Sequence, residues 1–248
     1  MLDWFEGRWP GRTPGSRPRD VGGATRDGLT HYAAGRDPRR CGAGQGRAGN
    51  GSLMRCIATA LAVADPRRRI RESVEISAVT HDDPRATLSC AAYNEMVVVL
   101  LDGGTPAAAV ERGRQAVGQA VTDAMTAAPG ADVTAAATAV VEALEVGARL
   151  RPVDLAAEGP GGLPDAGGGF VLDSLSLAVA AVLDPRDLVD VLVDIVRVGS
   201  DTDTNAAIAG GLLGARDGAG ALPAGWVQRL QFADEFRTAA TRLAAAGR

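Results

Sequence analysis

The sequence predicts an all-α fold. Apolar residues recur at helical spacing in one segment after another, and prolines and acidic residues stand where those segments would begin. No alternating apolar–polar run extends beyond a few residues, so no sheet is expected. The composition agrees: 46% of the 248 residues are apolar, only 4% are aromatic, and Ala and Gly abound. A core of small side chains suits closely packed helices better than stacked β-branched strands. With that apolar fraction the chain is long enough to bury a core without disulfide or metal staples.

The elements follow in order. The opening stretch is rich in Gly, Pro and Arg, and one helix is expected there, Val21–Ala34, capped by Asp20 and ended by Gly35. Residues 36–49 read as a loop. Ser52–Ala64 is a helical run with Leu53, Ile57, Ala60 and Leu61 on one face. Pro66 and Pro84 occupy favourable first-turn positions for helices over Arg67–Val79 and Arg85–Leu101, the second stopped by Gly103–Gly104. Thr105–Ala127 and Asp132–Leu150 are Ala/Val-rich helices divided by Pro129–Gly130. Pro152–Gly169 reads as a flexible, glycine-studded stretch. Leu172–Leu183, Pro185–Val198, Asp201–Ala215 and Trp226–Ala246 complete the series. Helices joined by short loops, without an internal repeat, imply a single all-α domain over 1–248.

Composition also excludes chemistry. The chain has no lysine; all 26 basic residues are arginine. That removes a phosphate-holding P-loop lysine, a Schiff base and a lysine nucleophile. With only His31 and His81, a three-histidine zinc site cannot form within one chain. Cys41, Cys56 and Cys90 form no CxxC pair and read as small buried hydrophobes in a reducing compartment. A formal net charge of −4 and the lack of a basic stripe argue against a nucleic-acid groove. The charged, Gly- and Pro-broken start does not read as a secretory leader, and no apolar run reaches the ~20 residues of a membrane span. A soluble, cytoplasmic protein is expected.

Four segments can carry chemistry. Gly199-Ser200-Asp201-Thr202-Asp203-Thr204 joins an apolar run to a small-residue helix and offers only oxygen donors, the ligands that Mg²⁺ or Mn²⁺ prefer. Asp201 and Thr204 are three apart and can face the same way, with Asp203 directed elsewhere. The same residues also suit ordinary helix capping, and an Asp-x-Asp phosphotransferase motif is disfavoured because no lysine is present. Ala48–Arg55 contains the small-residue turn Asn50-Gly51-Ser52, which can receive a phosphate or sugar hydroxyl or simply cap a helix at Ser52. Thr80–Pro84 places His81 between two helices, as a ligand contact or a locally bonded side chain. Asp82 or Asp83 reads as the cap of the helix at Pro84. Gly167–Leu175 brings glycines that let backbone approach a ligand, or that only connect two helices.

Taken together, these segments resemble the ADP-ribosylglycohydrolase family in order and spacing. Gly49–Arg55 is similar to the family's Gly-Asn-Gly-Ser turn with a following Met-Arg, and Thr80–Pro84 to its Thr-His-x-Asp-Pro loop. Gly168–Leu175 resembles the glycine turn leading into Val-Leu-Asp-Ser-Leu. Ser200–Gly210 resembles the Asp-Thr-Asp-Thr helix start, with Pro223 and Trp226 beyond it, and Arg19–Gly22 with Thr25-Arg26 matches the stretch before the first turn. The resemblance implies an orthogonal α-helical bundle with a two-metal Mg²⁺ or Mn²⁺ site. It further implies hydrolysis of the bond from the anomeric carbon of ADP-ribose to a protein side chain or small leaving group. Carried over residue by residue, Asp201, Asp203 and Thr204 are metal ligands. Asn50, Gly51 and Ser52 contact the diphosphate or distal ribose, and His81, Gly168, Gly169 and Phe170 line the ADP-ribose cleft. Phe170 stands where the family often has tyrosine.

The resemblance names no catalytic base here. Family members carry a Thr-Asp-Asp-Thr motif on a helix before the Arg-Asp-Val-Gly segment, and nothing before Asp20 matches it. The expectation is therefore a domain missing its N-terminal helix and first metal motif, with an incomplete two-metal site and weakened hydrolysis. The partner is an ADP-ribosylated protein or a small ADP-ribose derivative. The alternative is a degenerate, non-catalytic member that binds ADP-ribose or serves as a structural helical protein.

Overall fold

The computed structural model describes residues 1–9, 13–127 and 133–247. Its helices are α1 (Leu2–Phe5), α2 (Gly23–Gly35), α3 (Ile57–Ala62), α4 (Pro66–Ala78), α5 (Pro84–Leu101), α6 (Pro106–Ala127) and α7 (Thr134–Arg149). They continue with α8 (Pro152–Glu158), α9 (Val171–Leu183), α10 (Leu188–Arg197), α11 (Thr202–Asp217), α12 (Ala224–Val227) and α13 (Ala233–Gly247). Among the described residues there is no strand, only one isolated antiparallel bridge between Gly49 and Phe170. The fold is all-α, as the sequence predicts.

Helix starts follow local chemistry. Asp65 and Asp83 accept from the backbone N–H of Arg68 and Arg85, each ahead of a proline at the first helical position. Asp187 caps α10 in the same way. Five expectations need correction. Asp20 caps nothing: α2 begins at Gly23 behind Gly22, runs through Gly35, and ends on Arg36 in a left-handed conformation (φ 57°). Ser52–Ala64 is not one helix but a 3₁₀ turn, Leu53–Arg55, followed by α3. The Pro185–Val198 segment turns helical only at Leu188, where Asp187 supplies the cap. The stretch after Pro152 holds α8, anchored by buried Pro152 and Leu155. Trp226–Ala246 is broken between α12 and α13, where Phe232 adopts φ 63°. Pro129–Gly130 and Asp132, the expected divider and start of α7, lie outside the described residues.

The core forms around α5 and α9, which are buried on nearly every face. Residues 86–97 of α5 and 171–182 of α9 are buried throughout. α5 packs against α4, α6, α7 and α11, and α9 against α7 and α11. α7 reaches α9 so closely at Gly147 that an added Cβ would lie 2.5 Å from the Ser176 carbonyl oxygen, and Ser176 Oγ donates to the Ala143 carbonyl at 2.8 Å. A second apolar cluster, including Leu155, Leu177, Leu188, Ile195 and Leu213, fills the space between α8, α9, α10 and α11. These packings fix the starts of α9 and α11, from which the candidate site is built.

Candidate functional site

Three turns that are far apart in sequence meet where α9 and α11 begin. The turn at residues 48–52 pairs with the glycine turn at 167–170 as a short ribbon. Asn50 N–H donates to the Gly169 carbonyl at 2.9 Å, and Val171 N–H to the Ala48 carbonyl at 3.0 Å. The third turn, at 199–204, enters α11 through two residues of positive φ, Gly199 (88°) and Ser200 (59°). A non-glycine residue held there is strained, and such strain persists where surrounding contacts over-determine it.

Side chains lock the three turns together. Asn50 Nδ2 donates to Asp201 Oδ2 at 2.8 Å and to Ser174 Oγ at 2.9 Å. Ser174 Oγ donates to Asn205 Oδ1 at 2.7 Å, and Asn205 Nδ2 to the Gly167 carbonyl at 2.8 Å. Asn50, Ser174 and Asn205 are all buried, so this chain of bonds is shielded from water. Asp173, also buried, accepts the N–H groups of Asp165 and Gly167 through one oxygen and leaves the other without a partner. Burial raises its pKa against the lowering effect of those N–H groups.

The ligand candidates of the α11 start stand as follows. Asp201 occupies the N-cap position, yet its side chain makes no capping bond; its carboxylate is held by Asn50 instead. Asp203 is exposed, and Thr204 Oγ1 contacts Met54 Sδ at 3.9 Å, which brings the α11 start against the 53–55 turn. Gly169 faces the same carboxylate: a Cβ there would stand 4.0 Å from Asp201 Oδ2. Among the described residues no three His, Cys, Asp or Glu side chains gather in a way that would hold a metal. Asp201 and Thr204 are partly buried at this helix start, and Asp203 is exposed.

His81 lies beneath the first turn, 2% exposed. Its Nδ1 is 2.7 Å from Thr80 Oγ1, which also accepts from Arg55 Nη2 at 2.8 Å. A Cβ on Gly51 would come within 3.0 Å of His81 Nε2 and 3.3 Å of Thr25 Oγ1, so glycine lets the turn settle onto the ring. Burial, and then the nearby Arg55 charge, lower the His81 pKa from 6.5 to about 4. The imidazole is therefore neutral at neutral pH. Ser52 is tied to the same region through Ser77 Oγ, which donates to Ser52 Oγ at 2.9 Å.

This depressed pKa has a consequence for stability. Between pH 6.5 and about 4 the unfolded chain protonates His81 and the native chain does not, so stability is lost as pH falls through that window. The full shift corresponds to about 3 kcal/mol. Urea melts from pH 7 to pH 4 should show wild type losing more stability than His81→Gln; parallel losses would mean that the ring is not buried in neutral form.

On the next loop, Asp83 and Asp82 organise backbone. Asp82 accepts from Gly44 N–H and Asp83 from Gly46 N–H, at 2.6 and 2.7 Å, pinning the glycine loop that precedes the first turn. Burial alone would raise Asp83, but the Arg85 guanidinium and the N–H groups of Arg85 and Gly46 outweigh it and hold the carboxyl below its ordinary value. Arg85 also stacks over the Phe170 ring at 5.6 Å, which ties the glycine turn to the His81 loop. Cys41, Cys56 and Cys90 are free and buried, as the composition suggests.

Asn50, Gly51, Ser52, Gly168, Gly169, Phe170 and Asp201, each singled out in the sequence in a separate segment, lie in turns that the structure brings together. It missed the bonded roles of Ser174 and Asn205, whose one local signal is a polar residue among buried apolar neighbours.

Comparison with known proteins places the chain among its relatives. The chain is 26% identical over 216 residues to the ADP-ribosyl-[dinitrogen reductase] glycohydrolase of Rhodospirillum rubrum, covering 87% of this chain and 61% of that protein. It thus spans about three fifths of that relative's length. A solved structure titled ADP-ribosylglycohydrolase-related protein complex superposes with a TM-score of 0.68 at 25% identity, over 92% of this chain and 70% of the other. The family model described as ADP-ribosylglycohydrolase matches residues 1–248 from end to end, and the chain belongs to that family.

Proposed function

We propose that this chain is a metal-dependent ADP-ribosylglycohydrolase, acting in the cytoplasm as a single domain over 1–248. It would cleave the bond between the anomeric carbon of ADP-ribose and a protein side chain or small leaving group. The observation that carries this reading is the Asp201 carboxylate, which stands at a helix start without capping it and is gripped by Asn50 from 151 positions away. A structural cap has no need of such a bond.

Asp201, Asp203 and Thr204 would hold Mg²⁺ or Mn²⁺, since hard cations favour carboxylate and hydroxyl oxygen. The Asn50 amide acts as the outer-shell partner that sets the carboxylate's orientation. When bound, the ion supplies Lewis-acid polarisation and orients a ribose diol. The protein's own groups do the rest. The paired turns at Asn50–Ser52 and Gly168–Phe170 line the ADP-ribose cleft, and neutral His81 supports the first of them from below.

The substrate class follows the name of the Rhodospirillum relative: an ADP-ribosylated protein, with small ADP-ribose derivatives as alternatives. The test is chromatographic detection of free ADP-ribose from arginine-linked and serine-linked peptides and from an acyl ester, with Mg²⁺ or Mn²⁺. Release that stops on adding EDTA is the expected result. ADP-ribose binding without release from any substrate would leave a binding module in place of a hydrolase.

A further inference from the structure

Asn50, Ser174 and Asn205 bring polar side chains into the packing of α9 on α11, and all three are buried. Apolar residues of similar volume would fill that space at a lower desolvation cost, so stability alone does not account for them. None of their buried polar atoms lacks a partner, in contrast to Ser89 Oγ and Asn94 Oδ1 in α5. A fully satisfied buried network holds a single arrangement.

That arrangement has one possible sense. It starts at the Gly167 carbonyl, which can only accept. Gly167 is fixed from behind by the Asp173 carboxylate, which takes its N–H at 3.1 Å, and glycine permits the φ of 73°. The carbonyl receives Asn205 Nδ2 at 2.8 Å and, more weakly, the Asp201 N–H at 3.4 Å. With the Asn205 nitrogen committed there, its oxygen faces Ser174, and the hydroxyl must donate to it, at 2.7 Å. The Ser174 oxygen is then left to accept from Asn50 Nδ2, whose other hydrogen reaches Asp201 Oδ2. An Asn50 amide turned over would set its oxygen against the Asp201 carboxylate, acceptor against acceptor.

We propose that Asn205 and Ser174 are positioning residues: they fix which way the Asn50 amide faces and, through it, where the Asp201 carboxylate points. That the carboxylate so placed holds a metal rests on the proposed hydrolase function; the orienting chain rests on the bonds alone.

The experiment compares the full chain as wild type, Ser174→Ala, Asn205→Leu and the double variant. The Asn50 side-chain NH₂ pair in ¹H–¹⁵N spectra, identified by its loss in Asn50→Ala, reports the amide directly, and thermal melts report folding. In wild type the pair should exchange slowly with D₂O. Each single variant should shift it and speed its exchange about 3–10-fold, the equivalent of one buried hydrogen bond. The double variant should match Ser174→Ala, because the second break lies beyond the first. Mn²⁺ affinity, read from the EPR signal of the free ion, should fall about 10–100-fold in each single variant and no further in the double. Asn205→Ala carries the same comparison if the leucine variant does not fold. An Asn50 pair unmoved by loss of the Asn205 amide would overturn the proposal. So would effects of the two substitutions that simply add, as independent structural damage does. A responding Asn50 pair in a chain that binds no Mn²⁺ would uphold the orienting chain and refute the metal reading. Mn²⁺ binding with an indifferent Asn50 pair would do the reverse.

Discussion

Asp201→Ala is expected to abolish ADP-ribose release and leave the fold standing. Losing one catalytic group costs about 10²–10⁴-fold in rate, and here the carboxylate lost would also be a metal ligand. An N-cap residue that bonds its helix contributes about 0.5–2 kcal/mol. Asp201 makes no such bond, so the variant's melting temperature should stay close to wild type. Asn50 retains Ser174 as an acceptor and is not orphaned by the change. Asn50→Ala tests the same geometry from the other side, and should weaken Mn²⁺ binding by about 10–100-fold, as loss of outer-shell partners does. Release assays, Mn²⁺ titration and thermal melts on the three proteins separate these effects. Unchanged release in Asp201→Ala would reduce the 199–204 turn to a helix entry.

The second large effect concerns stability. Glu95 is buried in α5 and is shared by two arginines: Arg69 Nε of α4 at 2.6 Å and Arg112 of α6. Arg69 also donates from Nη1 to the carbonyls of Val63 and Ala64, so the cluster ties the end of α3 to three helices. Glu95→Gln would strand two guanidinium groups around a neutral amide. Removing one partner of a buried ion pair typically costs about 3–5 kcal/mol. Urea unfolding should show a loss of unfolding free energy of that size. A shift below about 1 kcal/mol would show that water reaches the cluster, since exposed pairs are worth no more than that.

The parts of the fold that were legible in the sequence are those with local causes. Pro66 and Pro84 announce α4 and α5 through a preset φ; Asp83 caps as expected, and Asp65, not singled out in the sequence, caps α4 as well. Asp20 offers the same chemistry, but its helix starts behind Gly22, because the capping residue is chosen by where the helix can dock. α8 was obscured by the glycines after it, although Pro152 stood at the right position and Leu155 had a core to join. The break before α13 has no proline or glycine to mark it, only Phe232 in a left-handed conformation.

The site was legible to a similar depth. Each turn could be recognised singly, since small residues and oxygen donors at helix starts are local patterns. Their convergence could not, because the Asn50–Asp201 and Ser174–Asn205 bonds are made by tertiary packing of α9 on α11. Arg55 appeared only as part of a motif; that no carboxylate pairs with it among the described residues emerges once the surrounding helices are in place.

The most direct test is a crystal structure with Mn²⁺ and ADP-ribose, using the anomalous signal of manganese. An anomalous peak is expected against the side-chain oxygens of Asp201, Asp203 and Thr204, with ADP-ribose running along the Asn50–Ser52 turn. A manganese peak at other residues, or ADP-ribose bound away from that turn, would contradict this arrangement.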